Sequence, residues 1–283
     1  MNILMLMLVV VGVSLQQIGK KAYNLKVKNG TFSFTAASSF MALLVFLITA
    51  KGEFNYSSDF LIYSVIFAVS FCITSVASYC AVSTGPLALT SLFISYSLII
   101  PTFYGIIVLG EETKATLFLG IILLLISLVL TNLEGKQEKK ITLKWIILVL
   151  IASVGNGACS VIQKAQQINC NQMYKSEFMI IALIITVAVI GIFALLNEKK
   201  EITYNLKHGV KWYLICGIAN GIVNYLVIVL SGRMDASLMF PIISSGGIIL
   251  TALVSIFIYK EKLSKQQYVG FVLGILSIIA LNL

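Results

Sequence analysis

The chain is 283 residues long with 59% apolar residues, only 11% charged, a mean hydropathy of +1.00 and a net charge of +9. Those values exclude an ordinary soluble domain and mark an all-α integral membrane protein. Basic residues gathered in short loops between apolar spans follow from the positive-inside rule, so the charge does not argue for nucleic acid.

At about 20 apolar residues per crossing, ten runs are expected, near 2–19, 33–50, 60–82, 87–109, 115–132, 144–163, 178–196, 210–230, 237–259 and 267–283. The first, LMLVVVGVSLQQIGKKA, lacks a basic segment before it and a small-residue cleavage pattern, and reads as a mature helix and not a signal peptide. It matches the sixth, LVLIASVGNGACSVIQKAQ, at an offset of 143, which sets Gly12 on Gly155 and Lys21 on Lys164. Lys20, Lys21 and Lys164 stand at helix ends, where they either snorkel to the headgroups or bind an anion. The second and seventh runs are plain apolar helices.

The third and eighth runs, TSVASYCAVSTG and GIANGIVNYLVIVLSGR, place amides, hydroxyls and tyrosines where hydrocarbon is expected, and such atoms need partners. Asn220 and Asn224 are four residues apart and share a helical face, with Gly217 and Gly221 as a close-packing pair on the neighbouring stripe. The asparagines either bond adjacent helices or line a cavity. The fourth and ninth runs each contain a proline, Pro101 and Pro241, that removes a backbone donor. Ser91, Ser95, Tyr96, Ser244 and Ser245 lie nearby, as part of a packed kink or of a site wall.

Two stretches match at an offset of 150: IVLGEETKATLFLGIILLLISLVLTNL from residue 107, and IFIYKEKLSKQQYVGFVLGILSIIALNL from 256. Glu111 pairs with Glu261, Gly120 with Gly270 and Ser127 with Ser277. The chain therefore reads as two five-helix repeats, 1–135 and 144–283. Because five is odd, the second copy must be inverted in the membrane, an arrangement that belongs to alternating-access carriers. The repeat-closing glutamates are expected at helix junctions, capping them or pairing with charges, and not on substrate. Fifteen Lys and Arg fall in connections after odd-numbered helices (Lys20, 21, 26, 28, 136, 139, 140, 144, 199, 200, 207, 211, 260, 262, 265) and five elsewhere. That count places both termini outside the cytoplasm.

The segments GPLALTSLFISYSLIIPTFYGIIVLGEE and DASLMFPIISSGGIILTALVSIFIYKEKLS, each followed by a glycine-bearing helix, resemble the drug/metabolite transporter superfamily, in its ten-helix EamA-type branch. The likeness covers essentially the whole chain. It implies two bundles about a central cavity formed by helices one, three, four, six, eight and nine, with the fifth and tenth peripheral. The superfamily's substrates run from amino acids, sugar phosphates and nucleotide sugars to cationic drugs and choline-like metabolites. Small multidrug-resistance relatives carry an embedded glutamate in the first helix; here Gln16 and Gln17 stand there, and the remaining acids lie at helix ends or in connections. Cation/proton antiport of that kind is not expected.

No GxxxxGK[ST], HExxH or CxxC occurs, and the single histidine, His208, lies in a basic connection. The expectation is a gradient-driven carrier of a small organic molecule, not an enzyme, with no cofactor or metal, embedded in the cell membrane as a monomer or homodimer. A channel, or an accessory subunit of a lipid-carrier flippase, is the alternative. The expected substrate lining is Gln17, Tyr79, Tyr96, Asn156, Asn220, Asn224, Ser244 and Ser245. It suits an uncharged, zwitterionic or quaternary-ammonium solute, the last through cation–π contact with Tyr79, Tyr96 or Tyr225. A phosphate would require convergent arginines. Cys170, in a connection, is expected to be reachable by thiol reagents.

Overall fold

The computed structural model describes the backbone of residues 2–27, 30–52, 54–84, 94, 97, 99–112, 115–132, 142–257 and 265–282. Ten α-helices appear among them: α1 (Asn2–Lys26), α2 (Thr31–Thr49), α3 (Leu61–Thr84), α4 (Ile99–Ile107), α5 (Ala115–Asn132), α6 (Leu143–Asn169), α7 (Lys175–Asn197), α8 (Ile202–Ser231), α9 (Ala236–Phe257) and α10 (Lys265–Asn282). Each falls on an expected run, and α4 covers the second half of the fourth. Five helical stretches, Thr31–Thr49, Ser58–Ala81, Leu143–Asn169, Lys175–Asn197 and Ile202–Ser231, are long and apolar enough to cross a bilayer. Their exposed faces follow helical spacing, with Ile62, Val65, Ile66, Val69 and Ile73 on α3 and Leu143, Ile146, Ile147, Leu150, Ile151 and Val154 on α6. Apolar stripes of that width are stable only against lipid or protein.

The chain divides into two compact units: one of Met1–Val10, Ala77–Val161 and Arg233–Leu283, the other of Val11–Val76 and Ile162–Gly232.

In the first unit, α5 and α10 are joined by a reciprocal pair of bonds. The Ser127 hydroxyl donates to the Gly270 carbonyl at 2.6 Å and the Ser277 hydroxyl to the Gly120 carbonyl at 2.8 Å. These are the same four positions that the 150-residue offset matches. The pairing order, 127 on 270 and 120 on 277, makes the two helices antiparallel, which is the orientation inversion demands of equivalent helices. Pro241 lies inside α9, and Ile242 of that helix packs with Ile106, Leu117 and Ile121 of α4 and α5.

Glu111 follows α4 and bridges to the start of α9, its carboxylate accepting from the Ala236 and Ser237 N–H groups, both at 2.8 Å. Two of the orphan donors of that helix end are thereby satisfied by a charge its dipole favours. This is the junction role expected of Glu111; its repeat mate Glu261 lies outside the described residues. Glycine at 105 leaves the room, since a Cβ there would sit 2.3 Å from the Glu111 carboxylate.

In the second unit α2 and α7 are also antiparallel, with Phe32 stacked on Phe193 at 5.9 Å and the Thr49 hydroxyl 3.3 Å from that of Ser176. They too stand at equivalent places in the two repeats expected from sequence. The N-cap of α2 is Gly30, which has no side chain to offer, and Glu198 fills the place by accepting from the Phe32 and Ser33 N–H groups at 2.7 and 2.9 Å and from the Ser33 hydroxyl. Gly217 and Gly221 pack α8 on α2 as the spacing implies. A Cβ at 217 would lie 2.5 Å from the Ser38 carbonyl oxygen, and one at 221 would lie 2.7 Å from Val45. Tyr23 closes the α1–α2 turn by donating to the Gly30 carbonyl at 2.9 Å, with Phe34 against its ring.

Two expectations about exposure are overturned. Lys164 does not reach the surface but is 5% exposed, within a polar segment of α6 that also buries Gln163, Gln166 and Gln167. Cys170 is 6% exposed, because the α6–α7 turn folds over it with Asn171, Gln172 and Tyr174 in the left-handed region.

Candidate functional site

Helix α1 reaches α8 through two glycines. A Cβ at Gly12 would lie 2.4 Å from Val223, and one at Gly19 would lie 2.2 Å from the Cys216 sulfur. Residue 16 is four from the first and three from the second, hence on the same stripe. Its amide is thus brought against α8.

The partners form a chain of four side-chain amides across α6, α8 and α1, all within the second unit. Gln163 Nε2 donates to Asn224 Oδ1 at 2.8 Å. Asn224 Nδ2 donates to Asn220 at both its backbone oxygen (2.9 Å) and Oδ1 (3.2 Å). Asn220 Nδ2 donates to Gln16 Oε1 at 2.9 Å, and Gln16 Nε2 ends the series on the Gly12 carbonyl at 3.4 Å. Gln163 is buried, and Gln16, Asn220 and Asn224 are half-buried. The group is neutral throughout. It keeps spare donor and acceptor capacity, because each primary amide offers two N–H groups and two oxygen lone pairs.

Of the residues expected from sequence, Asn220 and Asn224 stand at the centre of this chain. The first-helix amide that joins them is Gln16; the side chain of its neighbour Gln17, the residue singled out from sequence, lies outside the description. Gln163 was missed, although it lies seven residues from Asn156 on the same face of α6. Asn156 itself belongs to the first unit, where its Nδ2 donates to the Ser97 hydroxyl at 2.6 Å. Gly157 makes that approach possible, since a Cβ there would lie 2.6 Å from Ile100. Tyr79 is half-buried in α3 and Ser244 buried in α9, both in the first unit. Tyr96 lies outside the described residues, as does the side chain of Ser245. Tyr225 meets Phe46 edge-on at 6.1 Å.

Comparison with known proteins agrees with the helical pattern. The EamA-like transporter family model matches residues 143–283. The chain carries an EamA-like transporter domain. Within that domain lie Gln163, Asn220 and Asn224, three of the four linked amides. Two curated relatives are similar: the "Probable glucose uptake protein GlcU" of Priestia megaterium, 25% identical over 192 residues (64% of this chain and 63% of that protein), and a "Putative sugar uptake protein" of Lactobacillus helveticus, 26% identical over 191 residues (65% and 64%). The matched region thus spans under two thirds of the length of each relative. A solved crystal structure superposes with a TM-score of 0.79 at 14% identity, covering 99% of this chain and 95% of that one, which establishes the shared fold. An EamA-like protein with five helices fit to cross a bilayer is a multi-pass membrane protein. Among the described residues no group of His, Cys, Asp or Glu could hold a metal ion.

Proposed function

We propose that this protein is a secondary carrier that moves small uncharged, hydroxylated solutes, sugars foremost, by alternating access. The observation that carries the reading is the neutral amide chain Gln163–Asn224–Asn220–Gln16 on three helices. A sugar hydroxyl both donates and accepts, as a primary amide does, so each can exchange an amide–amide bond for an amide–hydroxyl bond without any charge to neutralise. A phosphate or a carboxylate would call for arginine, and the only arginine in the chain is Arg233, just beyond α8. The relatives named for glucose and sugar uptake point to the same substrate class.

Alternating access is supported by the antiparallel packing of two pairs of repeat mates, α5 with α10 and α2 with α7, as expected of an inverted repeat. On this reading ten helices span the membrane as repeats 1–135 and 144–283, both termini face outward, the protein catalyses no reaction, and motive energy comes from a solute or ion gradient.

A ligand screen by thermal shift tests the substrate class. A ligand at a hundredfold excess over its Kd stabilises the native state by about 2.7 kcal/mol. Neutral monosaccharides are expected to raise the melting temperature of the purified protein, with amino acids, choline and sugar phosphates leaving it in place. Stabilisation by a quaternary amine or an anion with none by any sugar would overturn the reading.

A further inference from the structure

Every bond in the amide chain runs the same way, from the NH2 of one residue to an oxygen of the next, starting at Gln163 on α6 and finishing at Gln16 on α1. The interior members are locked by that direction. An aspartate in place of Asn224 would set a carboxylate against both oxygens of Asn220, which now accept its N–H groups at 2.9 and 3.2 Å. Gln16 differs, because its oxygen accepts the 2.9 Å bond from Asn220 while its own donor makes the longest contact of the series, 3.4 Å to Gly12. At this position alone a carboxylate could replace the amide and keep the stronger bond. The ionisable residues closest in sequence on these helices are both basic: Lys20, exposed one turn beyond Gln16 on α1, and Lys164, adjacent to Gln163 and buried on α6.

We propose that Gln16 is the charge-selecting residue of the site: by closing the chain with an amide it keeps the site without negative charge, so that hydroxylated solutes are accepted and their cationic, aminated analogues rejected. The inference rests on the carrier reading above and refines its substrate class. A protonated amine entering here would shed hydration and meet neutral amides where it needs a carboxylate, and a site discriminates as much by such unpaired charge as by what it binds. Glutamate at 16 supplies the missing countercharge while still accepting from Asn220.

The test compares saturable uptake of glucose and of glucosamine, the latter at pH 6.5 where its amine is protonated, by the full-length protein in liposomes. Wild type should favour glucose in kcat/KM by roughly tenfold or more, and Gln16→Glu should shrink or invert that preference by a similar factor. Gln16→Leu, which removes the acceptor without adding charge, should lower glucose uptake without improving glucosamine. Equal handling of the two sugars by wild type overturns the inference, however the variants fold, and so does a well-folded Gln16→Glu carrier with an unchanged ratio. If wild type shows no saturable flux of any neutral sugar, the carrier reading fails and this inference with it; flux without charge discrimination sinks the inference alone.

Discussion

Removing the Asn224 side chain breaks the amide chain in the middle: Gln163 Nε2 loses its acceptor and Asn220 Oδ1 its donor. Interhelical hydrogen bonds in membranes average only about 0.6 kcal/mol, so Asn224→Ala is expected to lower the melting temperature by only about 1–2 °C while reducing uptake several-fold. Gln163→Leu should do the same. If both variants transport normally, or fail only because they misfold, the amides are packing groups. Cys170 carries a different expectation. Burial raises its thiol pKa, a contact with Gln166 lowers it somewhat, and the negative charge of Asp59 raises it again. Less thiolate is then present near neutrality than on an ordinary cysteine, so maleimide labelling should be slow and should accelerate as pH rises through the elevated pKa. Rapid labelling at neutral pH would show the turn to be open. At this scale the sequence revealed Asn220 and Asn224 because they are four apart beside a glycine pair. It singled out Gln17 and passed over Gln16, since two adjacent glutamines differ only in helical phase, and the phase that brings Gln16 to α8 is fixed by Gly12 and Gly19 seating on Val223 and Cys216. Gln163 carried the weak signal of its seven-residue spacing from Asn156, and Lys164 looked like a helix-end residue because its surroundings come from elsewhere in the chain.

Between elements, the carboxylates and glycines set how helices meet. Glu111→Gln keeps one acceptor but turns an NH2 toward the other helical N–H and removes the charge that the start of α9 favours, at a cost of about 1 kcal/mol. Thermal stability or abundance should fall more than apparent affinity changes; a selective affinity loss in a well-folded variant would place Glu111 on the substrate instead. Gly217→Val pushes a branched side chain into the Ser38 backbone, where overpacking costs about 1–3 kcal/mol. Chemical denaturation in detergent or bilayer should register that loss, and an unchanged midpoint would mean that α2 and α8 separate easily. The junction role of Glu111 was legible because the glutamate recurs after 150 residues at the end of an apolar run. The parallel role of Glu198 was not, because the α2 end it caps lies 165 residues away in sequence and is marked only by a glycine at the N-cap.

For the molecule as a whole, the ten helices found among the described residues could be read directly, since apolar run length is a property of the chain itself. Which polar side chains converge could not, because that depends on helix rotation and on glycine contacts between helices. Orientation is open to direct test: with Cys170 buried, an introduced cysteine at exposed Asn171, in a Cys170→Ser background, should react with an impermeant thiol reagent added to intact cells. Reaction from the cytoplasmic side alone would reverse the assignment drawn from the lysine count. On the proposed reading the linked amides carry an uncharged sugar across the membrane. Counterflow decides it most directly: liposomes holding the purified protein and loaded with unlabelled glucose are diluted into a trace of labelled glucose. Wild type should accumulate label transiently above equilibrium, Asn224→Ala should do so several-fold more slowly, and external choline should not compete. Equilibration without overshoot would indicate a channel, and an overshoot identical in Asn224→Ala would remove the amide chain from the transport path.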